Sequence, residues 1–176
     1  MTEAEIKELI CEVPDFPKQG ISFKDITPLL KSAEACKKIT NQILDHFKQD
    51  VDAIVGIESR GFFFAFSMAQ ALGVPFIPIR KKGKLPHKTI SVRYGLEYGF
   101  DEVEMHLDAI DKGQRVLIHD DLLATGGTAA AAADLVKIAG GNVIGFSFLI
   151  HLGFLDGLQK VQKYSNNIHC LTTYED

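Results

Sequence analysis

Val116-Leu117-Ile118-His119-Asp120-Asp121-Leu122-Leu123-Ala124-Thr125-Gly126-Gly127-Thr128 runs directly into an alanine-rich stretch that ends before Gly140-Gly141. The opening Val116 to His119 is a short run of the kind that forms a strand covered on both faces of a parallel sheet. Thr128 to Ala139 reads as a helix stopped by the two glycines. Between them, Ala124, Gly126 and Gly127 let the backbone turn tightly and bring its N–H groups close to an oxyanion. Thr125 and Thr128 add hydroxyl donors, and the helix start aims unpaired amides and its positive dipole end at the same point. The pattern is that of a phosphate cradle. Two adjacent acids at its mouth, Asp120 and Asp121, do not suit a bare anion. They suit vicinal hydroxyls beside a phosphate, because an ionised carboxylate only accepts hydrogen bonds. A pentose 5-phosphate carries both groups; the alternative is a capping or turn role for the two acids.

Working outward, Ala53 to Ile57 reads as another buried strand, followed by a helix from Gly61 to Leu72 closed by Gly73. Phe76 to Ile79 is the next strand, with Pro78 placing it near an edge or an end. Val143 to Ile150 and Ile168 to Thr173 are strands, with a helix from Phe154 to Tyr164 between them. Upstream, Glu3 to Cys11 reads as a short amphipathic helix ended by Pro14 and Pro17, and Ser32 caps a helix reaching about Phe47. Alternating strands and helices predict one α/β domain over 1–176, its central, mostly parallel sheet flanked by helices. Ligands of such sheets sit beyond strand carboxyl ends, which singles out the residues after Ile57, Ile79 and His119. Lys81 to Asp101, with Gly83, Gly95 and Gly99, reads as a long functional loop.

The chain has 176 residues, 46% of them apolar, and a formal charge of −4, so neither a broad basic face for nucleic acid nor a membrane-spanning run is expected. Its one basic cluster is Arg80-Lys81-Lys82-Gly83-Lys84, followed by Lys88 and Arg93, which is either a solvated loop or a local sink for a small polyanion. Cys11, Cys36 and Cys170 have no CxxC spacing, which predicts a reducing, cytoplasmic setting and neither disulfide nor zinc. The acidic start lacks the marks of a secretory signal. No GxGxxG occurs, and Gly56 to Gly61 has Walker spacing but is followed by Phe62-Phe63 in place of Lys and Ser/Thr.

The Val116–Thr128 segment closely resembles the phosphoribosyl pyrophosphate (PRPP) signature of type I phosphoribosyltransferases, and its Leu122 to Thr128 portion is similar to the adenine-specific branch. Further stretches in the same order carry the resemblance: Pro14-Asp15-Phe16-Pro17, Gly20 to Ile26, Ser59-Arg60-Gly61-Phe62, Arg80 to Pro86, and Tyr94-Gly95-Leu96-Glu97-Tyr98-Gly99. The resemblance implies a type I phosphoribosyltransferase fold with a small flexible hood over about 81–105. It implies that Asp120 and Asp121 hold ribose hydroxyls while Ala124, Thr125, Gly126, Gly127 and Thr128 wrap the 5-phosphate. Ser59, Arg60 and Gly61 would form a pyrophosphate loop, often with a cis peptide, extended by Arg80, Lys81 and Lys84 across a homodimer interface. Adenine would lie against Phe23, its edge read by backbone groups around Ser22 and Lys24, with Leu122 and Leu155 completing the pocket. Glu97 would close over the base and act with Arg60 in catalysis. Mg²⁺ would be held by PRPP and water, with no protein ligand.

The chain departs from the family pattern at Lys24, where Arg is frequent, and at His151 and Gly157-Leu158, where an acid and a Gly-Arg pair are frequent. His119 replaces a usual aliphatic residue and is expected to be structural. Two rival readings share the cradle: transfer to another base (hypoxanthine/guanine, xanthine or orotate), and a non-catalytic PRPP sensor. The second would need a nucleic-acid surface, which the charge pattern does not supply.

Overall fold

The computed structural model describes residues 1–47, 51–95 and 99–176. Its centre is a seven-stranded sheet ordered β5-β6-β4-β3-β7-β8-β9. Five strands are parallel: β3 (Ala53–Ile57), β4 (Phe76–Lys81), β7 (Arg115–Leu123), β8 (Asn142–Leu152) and β9 (Ile168–Tyr174). The two remaining strands, β5 (Thr89–Gly95) and β6 (Phe100–His106), form an antiparallel ribbon joined to the end of β4 at Arg80 and Lys81.

Period-two alternation sends side chains to both faces, as a strand buried on two sides requires. Val55 and Ile57 of β3, with Val116 and Ile118 of β7, pack against the alanines of α5 (Gly127–Ile138). Ile54 and Leu117 point the other way, into a cluster with Phe64 and Met68 of α4 (Gly61–Leu72) and Ile39 and Ile43 of α3 (Ala33–His46). Small alanines let α5 lie close to the sheet, and the helix thereby starts where β7 ends. Ser32 caps α3 by accepting from the Ala35 N–H at 3.2 Å, and Gly73 ends α4 at φ 68°, where only glycine is unstrained. Pro78 lies where β4 is paired with β3 alone, since β6 joins only from Arg80. Among the described residues no helix is long and apolar enough to cross a membrane.

Several elements differ from the sequence reading. Within the segment read as a loop from Lys81 to Asp101, Thr89–Gly95 forms β5 and Phe100 begins β6. Ile90, Val92 and Tyr94 alternate with Ser91 and Arg93 and pack on the core, a period-two signal masked by flanking glycines. Strand β7 does not stop at His119: Leu122 and Leu123 still pair with Ile150 and His151 of the long β8. The Glu3–Cys11 helix is α1 (Glu3–Lys7) only, because Cys11 begins β1 (Cys11–Val13), which pairs with β2 (Phe23–Asp25). A short α2 (Thr27–Leu30) follows β2. The expected Phe154–Tyr164 helix contracts to α6 (Gly157–Val161).

The basic turn after β4 is held by one buried acid. Glu104 of β6 is 2% exposed, and its Oε1 accepts from the N–H groups of Gly83, Lys84 and Leu85 at 2.9, 3.0 and 3.0 Å. Its Oε2 accepts from the Thr89 hydroxyl at 3.1 Å. Burial pushes the Glu104 carboxyl up, but the bonds from Leu85, Thr89 and Gly83 outweigh burial and hold it below the ordinary range. A lowered folded pKa means this contribution is present above the unfolded value and fades as pH falls through the folded one. Glu104→Ala orphans three amides and is expected to destabilise by about 1–3 kcal/mol. The check is a lower urea midpoint at unchanged slope; a wild-type midpoint would mean the turn holds itself.

Candidate active site

A cleft of about 380 Å³ opens at the carboxyl ends of β3 and β7. Glu58, Ser59 and Arg60 line one side, and the run from Asp120 through Ala129 lines the other. Gly126 takes φ 72°, and the first α5 hydrogen bond runs from the Ala130 N–H to the Gly126 carbonyl at 3.0 Å. The amides before Ala130 therefore have no partner within the helix, and Gly126 through Ala129 line the cleft. The turn is braced from behind. A Cβ on Gly157 of α6 would lie 2.1 Å from the Ala124 carbonyl oxygen, and one on Gly126 would lie 2.7 Å from the Gly157 carbonyl oxygen. The two backbones touch with no room for a side chain.

Asp121 is 5% exposed and Asp120 is half-buried. Asp120 Oδ1 accepts from the Asp121 N–H at 2.9 Å. Burial, then the charge of Asp121, pushes the Asp120 carboxyl well above its ordinary value. Burial also raises Asp121, against the opposing pull of Arg60. Asp121 Oδ2 accepts no aligned hydrogen bond, and its charge is met by Arg60 Nε at 2.8 Å. Gly61 starts α4 directly against Asp120: a Cβ there would stand 2.8 Å from Asp120 Oδ1.

Arg60 joins parts of the site that are distant in sequence. Besides Asp121, its Nη1 donates to the Lys24 carbonyl at 3.1 Å, and its guanidinium lies 4.7 Å from the centre of the Phe23 ring. The preceding Glu58–Ser59 peptide is cis. Lys81 lies in a second cleft region, and Arg80 lines neither cleft. Arg80 forks onto Glu58, Nε and Nη2 donating to Oε2 and Oε1 at 3.1 and 3.0 Å, and its Nη1 donates to the Lys84 carbonyl. The Arg80 fork on its oxygens is the main reason the Glu58 carboxyl sits below its usual range. Lys81 Nζ stands 3.3 Å from Asp101 Oδ2. The second cleft, about 280 Å³, shares Glu58, Asp120 and Thr128 with the first and adds Lys81, Tyr94 and Asp101. Lys84 lies instead on an open basic shelf with Lys82 and Arg93.

Not every expected residue converges. Leu122 lines the first cleft; Ser22, Lys24 and Leu155 do not. The Lys24 side chain turns away, 4% exposed, to pair with Glu12 and lie 4.2 Å from the Tyr174 ring centre. Ser22 Oγ likewise donates to Glu12, at 3.2 Å. Glu97 lies outside the described residues. His119 is fully buried, its Nδ1 2.8 Å from Ser147 Oγ, and burial lowers its pKa to about 3, so its ring is neutral. Glu58, Tyr94 and Asp101 carry no site role in the sequence reading. Glu58 was findable as the first residue past β3; the other two reach the cleft only through the ribbon.

The arrangement can grip a phosphate with amides, a diol with two acids, and a flat ring on Phe23, with a cation between ring and diol. Comparison with known proteins agrees. The model of the phosphoribosyl transferase domain matches residues 22–172. The chain is 51% identical over 173 residues to the adenine phosphoribosyltransferase of Cytophaga hutchinsonii, covering 98% of this chain and 96% of that one. The crystal structure of the adenine phosphoribosyltransferase from Thermoanaerobacter pseudethanolicus superposes with TM-score 0.94 at 49% identity, over 98% of this chain and 100% of that one. The Saccharomyces cerevisiae enzyme of that name, complexed with adenine and an imino-altritol bisphosphate, gives TM-score 0.87 at 38% identity over 97% of each chain.

Because the folded pKa of Asp120 is raised, its stabilising contribution is complete only while it is protonated and is lost as pH rises through that value. Asp120→Asn is therefore expected to raise the thermal midpoint of the ligand-free protein, at pH values where wild-type Asp120 is ionised, by about 2–4 °C, the shift for 1 kcal/mol at this chain length. The gain should shrink in acid and come with weaker phosphosugar binding. A midpoint at or below wild type in calorimetry would contradict it.

Proposed function

The chain belongs to the adenine phosphoribosyltransferase family, and we propose that it transfers a 5-phosphoribosyl group from PRPP to N9 of adenine, giving AMP and pyrophosphate. One observation carries the reading: Arg60, which lines the cleft, touches Phe23, the Lys24 carbonyl and Asp121 at once, so one guanidinium joins an aromatic platform at the cleft's border to the diol acids and the phosphate cradle.

In this reading the amides of Ala124 to Thr128 take the 5-phosphate and Asp120 and Asp121 accept from the ribose hydroxyls. Adenine stacks on Phe23, and backbone groups around Ser22 and Lys24 read its edge. Such a site rejects hypoxanthine, whose reversed donor and acceptor leave buried polar groups unpaired. The Lys24 ammonium turns away from the site to Glu12 and the Tyr174 ring, which supports reading of the base edge by the main chain and not by this side chain. As the bond from the anomeric carbon to pyrophosphate breaks, positive charge grows on the ribose and negative charge on the leaving group. Arg60, Arg80, Lys81 and Lys84 stabilise the latter, and Ser59 and Gly61 shape the loop that approaches it. Glu97 accepts a hydrogen bond at N7 of adenine and helps move its proton as N9 attacks. The β5–β6 ribbon, which falls within the hood expected over 81–105, flanks the site and excludes water from it.

Mg²⁺ fits this scheme as an ion carried on PRPP oxygens and water. Among the described residues no group of three or more metal-ligating side chains gathers, and Glu58 and Asp101 are each engaged by a cation of the chain. The ion supplies charge neutralisation on the diphosphate. The working unit is a cytoplasmic homodimer. Phe63, Phe66 and Leu72 of α4 are 50%, 52% and 42% exposed, which supports burial against a second copy; a single-chain mass in sedimentation would remove the dimer.

Steady-state turnover with PRPP, Mg²⁺ and each base in turn is the deciding measurement. Adenine is expected to react and hypoxanthine, guanine, xanthine and orotate to be poor; preference for any of the latter would reassign the acceptor. Arg60→Ala is expected to lower kcat by roughly two to three orders of magnitude, from the ~3–4 kcal/mol that one preorganised donor contributes. Glu97→Gln should likewise cost mainly kcat. Intact turnover in either variant removes that residue from the mechanism.

A further inference from the structure

Thr128 lines both clefts, and its hydroxyl is not aimed at the phosphate cradle. It donates to the Tyr94 hydroxyl at 3.1 Å, which donates in turn to Asp101 Oδ2 at 3.3 Å. The carboxylate at the end fixes the direction of this relay. An ionised acid only accepts, so Tyr94 gives Asp101 its single proton, and Thr128 must give its own to Tyr94. Asp101 is held ionised: burial pushes it up, but the Glu102 N–H and Lys81 pull it below its usual range. Both contacts are longer than ordinary O–H···O bonds, so the link is easily opened.

The same Asp101 oxygen holds Lys81 Nζ at 3.3 Å. Tyr94 and Asp101 face each other as register partners across the β5–β6 ribbon. The Tyr94 ring rests on the start of α5, its Cδ2 3.1 Å from where a Cβ on Gly127 would lie. One cross-strand pair thus occupies a donor from each of two proposed anion subsites.

We propose that Tyr94 is a positioning residue that holds the Thr128 hydroxyl away from the phosphate cradle until a phosphomonoester takes that proton. Filling the cradle then breaks the only polar link between the Tyr94 hydroxyl and the α5 start found among the described residues, and so loosens the ribbon from the helix. The proposal rests on the phosphoribosyl reading of the cradle. It makes Tyr94 a competitor of the ligand, so its sign is opposite to that of a residue that merely supports the fold.

The test is calorimetric titration of ribose 5-phosphate into wild type, Tyr94→Phe, Thr128→Val and the double variant. Tyr94→Phe keeps the ring on Gly127 and deletes only the relay. Its Kd is expected to fall roughly two- to tenfold, the range for releasing one net hydrogen bond. Thr128→Val should bind more weakly, and adding Tyr94→Phe to it should change nothing further. An unchanged or raised Kd in Tyr94→Phe, or a gain that persists beside Thr128→Val, overturns the proposal. Failure of all four proteins to bind either ribose 5-phosphate or PRPP would instead defeat the phosphoribosyl reading itself.

Discussion

The Arg60 guanidinium is the tie that makes one site out of two parts of the chain. Asp121 stands almost without solvent, and a lone carboxylate there would be costly; Arg60 supplies the opposing charge at 2.8 Å. The same group reaches the Lys24 carbonyl and the Phe23 ring, so β2 is located relative to β7 through a single side chain. Electrostatics alone would not specify this geometry. A planar fork that can donate in one direction and lie over a ring in another does, which is why lysine is no substitute.

The sheet makes that tie possible. Parallel pairing of β3, β7 and β8 brings the carboxyl ends of the strands to one edge, and Glu58 and Asp120 emerge there side by side. The antiparallel ribbon then closes the flank from a different direction. It brings Tyr94 and Asp101 to the second cleft from strands that a parallel continuation would have sent elsewhere.

The legible and illegible parts of the sequence divide along this line. The cradle was readable because its causes are local: a buried strand, a turn of small residues and a helix rich in alanine follow each other without interruption. Strand β3 and helix α4 were readable for the same reason, to their end residues. The β5–β6 ribbon was misread as loop because its alternation is brief and bracketed by glycines. Contacts between distant segments left no mark: nothing about Glu104 alone says that it will collect three amides, nor about Lys24 that its ammonium will leave the site for Glu12 and Tyr174. Leu155 lies outside the first cleft for a related reason, since the helix expected to carry it begins only at Gly157.

The contact between Gly157 and the Ala124 carbonyl has a consequence for how this chain can drift over evolutionary time. Position 157 touches no ligand in any reading, yet even one methyl group there would overlap a peptide oxygen of the turn. Its neighbour Leu158 packs on the apolar core and carries no such restriction. Two adjacent codons therefore evolve under unlike rules, one frozen by backbone crowding and the other free to exchange among side chains of similar bulk.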